Sequence, residues 1–296
     1  MAIRRILVPL FGVDQPGPDH PDQPALHTAL TVARLFGAHV DALYRPFHLD
    51  SADHLRRLPA AYSEGYFRQL EQASRAHGEQ RDVAARRLFD EALAQAGVPY
   101  HAEPATPGQP SAAWRAVEEP VPEAVAHHGG VADLVVVGRP AGAAEDIEQA
   151  TVEAALFGSA CPVLLTPPGG AGQLGERVLI GWNRSLPAER AVAGARPFLE
   201  RAGEVVVFGV ATGARKGPSP EEVAHHLAWH GVRARVREIA PDHRAVGQVL
   251  LDEAREAGAD LLVMGAYSHS RLRGALLGGV TRHVLAHAEL PVLMAH

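Results

Sequence analysis

Short apolar runs rich in valine, isoleucine and leucine recur along this chain. Between them, apolar positions return at the three-to-four-residue spacing of a helix. Such runs are too short for helices and carry few polar interruptions, the pattern of strands buried on both faces of a parallel sheet. Three of them occur twice. Ile6-Leu-Val-Pro-Leu10 is matched by Val178-Leu-Ile-Gly-Trp182, Ala132-Asp-Leu-Val-Val-Val-Gly138 by Ala259-Asp-Leu-Leu-Val-Met-Gly265, and Cys161-Pro-Val-Leu-Leu165 by Leu290-Pro-Val-Leu-Met294. The order is the same in both halves, so the pattern predicts a duplicated domain. From Ile6 to Asp133 is 127 residues, whereas from Val178 to Asp260 is 82, which leaves the first half with 45 additional residues in that interval.

In the second half the pattern predicts a helix over Pro187–Arg196, a strand over Val205–Val210 and a helix over Pro220–His230 that opens on proline. A strand with one wetter face follows at Val232–Ile239, then a helix over His243–Ala257, a strand over Asp260–Gly265, a helix over Thr281–His287 and a last strand over Pro291–Met294. This alternation is a doubly wound, Rossmann-like α/β domain. The first half repeats the plan with a helix over Leu26–Phe36 and a strand over Val40–Tyr44. Most of its extra length falls in His54–Ala96, a long polar helix or helical hairpin. An irregular stretch set by Pro104, Pro107, Pro110, Pro120 and Pro122 then leads to a short helix ending near His128. Pro167-Pro-Gly-Gly-Ala-Gly172 reads as a linker, giving domains at 1–168 and 176–296. The apolar start at Ile6–Phe11 contains Pro9, meets Asp14 without a cleavage site and has a mid-chain copy, so it reads as a strand rather than a signal peptide.

Of the 296 residues, 47% are hydrophobic and 21% charged, with a formal net charge of −6. A general nucleic-acid or anionic-membrane binder would cluster excess Lys and Arg, so neither partner is expected. Cys161 is the single cysteine, which excludes an intramolecular disulfide and points to a reducing, cytoplasmic setting. No apolar run approaches the roughly 20 residues of a membrane helix.

In an open α/β sheet, ligands sit beyond the carboxyl ends of the strands. In the second half that region runs from Gly265 through Tyr267, Ser268, His269, Arg271 and Arg273 to Gly278, Gly279 and Thr281. A glycine pair opening a helix offers backbone amides to an anion. Thr281 can cap that helix or donate its hydroxyl to a phosphate, while His269, Arg271 and Arg273 can neutralise charge at the loop mouth. Neither a Gly-x4-Gly-Lys-Ser/Thr loop nor a Gly-x-Gly-x-x-Gly turn is present, which disfavours a P-loop ATPase and a dinucleotide dehydrogenase. His283 with His287, and His225, His226 and His230, have chelating spacing without an acidic or cysteine ligand to complete a set, so they read as solvated helix surface rather than a metal site. Ser159 lacks the flanking glycines of a nucleophile elbow. Cys161, before Pro162, reads as a packed thiol. The arginine-rich segment from Arg56 to Arg87 reads as a solvated cover, with partner docking as its alternative.

The repeat, the Gly265-x2-Ser268-x9-Gly278-Gly279 spacing and the closing Pro-Val-Leu strands resemble those of the universal stress proteins, in tandem form. Nucleotide-binding members carry Gly-x2-Gly-x9-Gly-Ser/Thr and an Asp near the end of their first strand. Here Ser268 stands for the second glycine, Gly279 for the hydroxyl residue and Asn183 for the Asp. The resemblance implies two adenine-nucleotide-hydrolase-like domains packed as an intramolecular pseudo-dimer through their last strands, with a further homodimer left open. It implies that Gly181, Trp182 and Asn183 flank adenosine and Val210 lies near adenine. Met264, Gly265 and Ser268, with Gly278, Gly279, Val280 and Thr281, would hold the remainder. ATP or another adenine nucleotide is the implied ligand, and Mg²⁺ would come only with it. The implied function is non-catalytic nucleotide binding coupled to a stress response and read by a protein partner; a ligand-free interaction module and a slow ATP hydrolase are the alternatives. In the first half Ala141 replaces the second glycine, Gln149-Ala150 aligns with the later pair, Glu145, Asp146 and Glu148 add negative charge, and the acid after the first strand is displaced to Asp14, so no triphosphate is expected there.

Overall fold

The computed structural model describes residues 2–12, 20–46, 64–103, 107–140, 145–211, 217–240, 243–267 and 278–296. The first half runs β1 (Arg5–Leu10), α1 (Asp22–Phe36), β2 (His39–Tyr44), α2 (Glu64–Ala96), β3 (Ser111–Ala116), α3 (Val121–Gly129), β4 (Leu134–Gly138), α4 (Glu145–Gly158) and β5 (Val163–Thr166). The second runs β6 (Arg177–Trp182), α5 (Leu186–Leu199), β7 (Glu204–Val210), α6 (Pro220–Ala228), β8 (Ala234–Ile239), α7 (Val246–Glu256), β9 (Leu261–Gly265), α8 (Gly279–His287) and β10 (Val292–Ala295). The strands form one ten-stranded sheet in the order β3-β2-β1-β4-β5-β10-β9-β6-β7-β8. Within each half all described pairings are parallel. The halves meet where β5 and β10 pair antiparallel, Leu164 opposite Leu293. Helices cover both faces, so alternate residues of one strand enter different cores: Ile6, Val8 and Leu10 lie in one cluster and Leu7 in the other. No helix among the described residues is long and apolar enough to cross a membrane.

The repeated Asp-Leu has a structural cause. Asp133, just before β4, accepts the backbone N–H groups of Arg4 and Arg5 at 2.8 and 2.9 Å. Asp260, just before β9, accepts those of Gly175 at 2.7 Å, Glu176 at 3.1 Å and Arg177 at 3.2 Å. Each carboxylate satisfies amides where the neighbouring strand begins and thereby sets that strand's register.

One feature departs from the expected pattern, and a second settles a choice the pattern left open. The proline-rich stretch expected to be irregular contains β3, which pairs with β2 over six positions, from His39 opposite Ser111 to Tyr44 opposite Ala116. Its Ser-Ala-Ala-Trp-Arg-Ala sequence lacks the β-branched residues that marked the other strands. It is held partly by charge: buried Asp41 of β2 bonds Arg5 of β1, Arg115 of β3 and His39. Burial alone would raise the Asp41 pKa, but the bonds from His39, Arg115 and Arg5 outweigh it and hold the carboxyl well below its ordinary range. The second feature is α2, a single 33-residue helix, which resolves the choice between helix and hairpin over 64–96.

This helix reaches the carboxyl ends of β1 and β2. Arg81 donates to the carbonyls of Phe11 and Gly12 at 3.0 and 3.1 Å, and Tyr44 donates its hydroxyl to Asp82 at 2.7 Å. From the opposite side, buried Asp22 accepts the N–H groups of Phe11 and Gly12 at 2.8–3.0 Å. Burial pushes the Asp22 pKa up to about 6, against the pull of those two N–H groups and Arg81.

Two measurements check these assignments. Asp260→Ala leaves the amides at the start of β6 without their acceptor and is expected to cost about 1.5–3 kcal/mol in urea unfolding, with Asp133→Ala similar. Asp22 has a folded pKa above its ordinary value of 3.8. Its contribution is therefore fully present below about pH 4 and is lost as pH rises to about 6. The stability of Asp22→Asn relative to the unsubstituted protein should rise by roughly 3 kcal/mol between pH 4 and pH 7.

Candidate functional site

In the second half the carboxyl ends of the strands enclose a cavity of about 430 Å³, within the range of small-molecule sites. Two walls come from strand ends. Asn183 follows β6, and its Oδ1 accepts the Ser185 hydroxyl at 2.6 Å. Ser185 caps α5 by accepting the Ala188 N–H at 3.3 Å. The Trp182 indole donates to the Pro218 carbonyl at 2.9 Å. Gly181, Trp182, Asn183, Val210, Met264, Gly265, Gly278, Gly279, Val280 and Thr281 all line the cavity. Ser268 lies outside the described residues, as do His269, Arg271, Arg273 and, in the first half, Asp14 and Ala141. Residues that sequence reasoning missed also line it, among them Arg184, Phe208, Glu238 and Leu250. Glu238 was legible only as the last acid of an alternating strand whose carboxyl end faces the crevice.

The glycines divide into two kinds. A Cβ on Gly265 would lie 2.4 Å from the Ala188 nitrogen, and one on Gly138 would lie 2.3 Å from the Pro21 carbonyl oxygen. Both glycines of the repeat are therefore required for strand-on-helix packing, whatever is bound. Gly278 and Gly279 are different. A Cβ on either meets nothing within 4 Å among the described residues, and Gly278 has an ordinary φ of −53°. Among the described residues, neither packing nor backbone conformation demands glycine there.

The helix they open, α8, has Gly278 at its N-cap and no side-chain cap. Its first internal bond among the described residues is from Arg282 N–H to the Gly278 carbonyl at 3.0 Å. The N–H groups of Gly279, Val280 and Thr281 precede it and face the cavity end of the helix. Thr281 does not cap. It is buried, and its hydroxyl oxygen accepts the Tyr267 N–H at 3.2 Å, which ties the helix start to the end of β9. Tyr267 holds a left-handed φ of 56° and packs its ring 4.8 Å from that of Phe157 in the other half. Arg184, with a φ of 57°, pairs with Glu238 at 3.5 Å.

The corresponding space in the first half is filled. Tyr44 pairs with Leu10 as Gly209 pairs with Trp182, so a ring stands where the second half has no side chain, and Arg81 and Asp82 lie against it. Helix α4 already begins at Glu145, before the Gln149-Ala150 positions aligned with Gly278-Gly279. Elsewhere, among the described residues, no group of three His, Cys, Asp or Glu side chains could hold a metal. The His283 and His287 rings stack 4.4 Å apart. Burial pushes the Cys161 thiol up, so it stays protonated and packed.

Comparison with known proteins accords with this geometry. Residues 176–296 match the model of the universal stress protein family. A universal stress protein from Archaeoglobus fulgidus DSM 4304 has a similar structure (TM-score 0.63, 16% identity), with 98% of this chain and 97% of that one covered. A putative universal stress protein from Pseudomonas aeruginosa UCBPP-PA14 is similar at a TM-score of 0.52 and 18% identity, over 99% of this chain and 92% of that one. No curated protein matches the chain. Residues 176–296 thus carry the match to the universal stress protein family, and the fold of that half is present twice in the chain.

Proposed function

We propose that the second half binds one adenine nucleotide per chain, without turning it over, and that occupancy is what a partner reads during a stress response. The observation that carries this reading is the pair Gly278-Gly279: glycines that no packing contact among the described residues requires, at an uncapped helix start that lines a cavity. Absence of side chains there lets phosphate oxygens approach the first-turn N–H groups, and the positive end of the helix dipole adds to the attraction. The hydroxyl oxygen of Thr281 takes the Tyr267 N–H, which leaves its hydrogen to donate to the same anion. The apolar walls, Phe208, Val210, Met264 and Leu250, suit the faces of a purine.

Catalysis has less support than binding. Among the described residues lining the cavity the one carboxylate is Glu238, which is paired with Arg184 and stands on β8, three strands from β9 in the sheet order. It is badly placed to hold Mg²⁺ at a phosphate or to activate water there. The first half contributes no second site in this reading, because Tyr44, Arg81 and Asp82 occupy its crevice.

Calorimetry with AMP, ADP and ATP tests the proposal. Binding at one site per chain is expected. Gly279→Val, whose side chain would project into the cavity, should weaken it roughly tenfold or more without changing the melting temperature of the ligand-free protein. No heat and no thermal shift at millimolar nucleotide would overturn the reading. Phosphate release exceeding that of the Gly279→Val protein would replace it with slow hydrolysis.

A further inference from the structure

Resting on that reading, we infer that Glu238 is the specificity residue of the cavity: its carboxylate reads the end of the ligand farthest from the anion and selects a base carrying an exocyclic amine. The placement follows from strand order. The anion-binding helix start is tied to the end of β9 through Thr281 and Tyr267. The order β9-β6-β7-β8 then puts Glu238 three strand spacings away, roughly 14 Å at about 4.8 Å per strand. That separation suits a nucleoside phosphate lying across the strand ends, phosphate at α8, sugar over β6 and base over β7 toward β8.

Two features aim the carboxylate at this position. Gly209, the β7 residue beside it, has no side chain, and Glu238 Oε1 lies 3.6 Å from where a Cβ would stand. In the first half the matching residue is Tyr44, whose ring closes that space. Arg184 holds Oε1 from the β6 side at 3.5 Å, and no other described group bonds the carboxylate, so an oxygen remains to accept a donor from the cavity. At the position the resemblance gives to a ligand-binding Asp, Asn183 already has its Oδ1 engaged by Ser185. The Glu238 carboxylate also repels a phosphate, which fixes the ligand in one orientation.

The test compares AMP with purine riboside 5′-monophosphate, which lacks only the amino group, by calorimetry on the full chain. The unsubstituted protein should bind AMP roughly tenfold more tightly or better, as expected for one charge-assisted hydrogen bond. Glu238→Ala should abolish that preference by weakening AMP alone, while Arg184→Ala, which keeps the carboxylate, should retain it. Equal affinity of the unsubstituted protein for the two compounds, or a preference that survives in Glu238→Ala, overturns the inference and leaves nucleotide binding standing. If neither compound binds the unsubstituted protein, both readings are overturned. The first comparison needs no variant, so its negative outcome overturns the inference even if a substitution impairs folding.

Discussion

A five-stranded parallel sheet with helices on both faces has two edges, and an apolar edge strand left open invites pairing with another chain. In this protein the constraint is met internally. β5 and β10 are four-residue, fully buried strands that pair antiparallel, and the rest of the architecture is arranged around that seam. Phe36 of one half meets Phe198 of the other edge-on at 5.0 Å, Phe157 packs on Tyr267, and Arg139 donates across the seam to the Ala288 carbonyl at 2.8 Å. Because the seam is antiparallel while each half is parallel, the carboxyl ends of the two sets of strands point in opposite directions along the strand axis. The crevices are separated by the length of the strands, so one could be filled without disturbing the other.

The two halves show what this independence allowed. Elements that build the sheet are kept in both: the carboxylates of Asp133 and Asp260 at strand starts, and Gly138 and Gly265 where a helix start crosses a strand end. Elements at the crevice diverge. Where the second half has Gly209, Asn183 and the Gly278-Gly279 helix start, the first has Tyr44, the Asp22 clamp on the amides after β1, and an acidic helix that begins earlier. The long α2 belongs to this divergence, since its Arg81 satisfies the carbonyls of the residues whose amides Asp22 holds. In the first half the chain supplies from within both the donors and the acceptors that a ligand could otherwise provide.

Much of this was legible in the residues alone, for a physical reason. Strands buried on both faces must be apolar throughout, so Ile6–Leu10, Val178–Trp182 and their companions declare themselves locally, and duplication doubles the signal. The stretch from Gly265 to Thr281 was marked by its glycines, and ten of the eleven expected site residues line one cavity, the other, Ser268, lying outside the described residues. Two things were not legible. β3 is built from small residues and holds its place through Asp41, Arg5 and Arg115, whose positions lie 36 and 74 residues from the aspartate. Asp22 serves the amides after β1, a role set by the approach of α1 and by burial.

The sequence by itself therefore determined the repeat, the fold class and the glycine-marked segment whose described ends line the second-half cavity, because each rests on contacts with a fixed local period or a fixed motif. Only tertiary structure decided the role of each glycine, the filling of the first crevice by Tyr44, Arg81 and Asp82, and the presence of Glu238 at the far end of the second. Those depend on which side chains share a volume once strands distant in sequence become neighbours, and no local pattern in a chain encodes that.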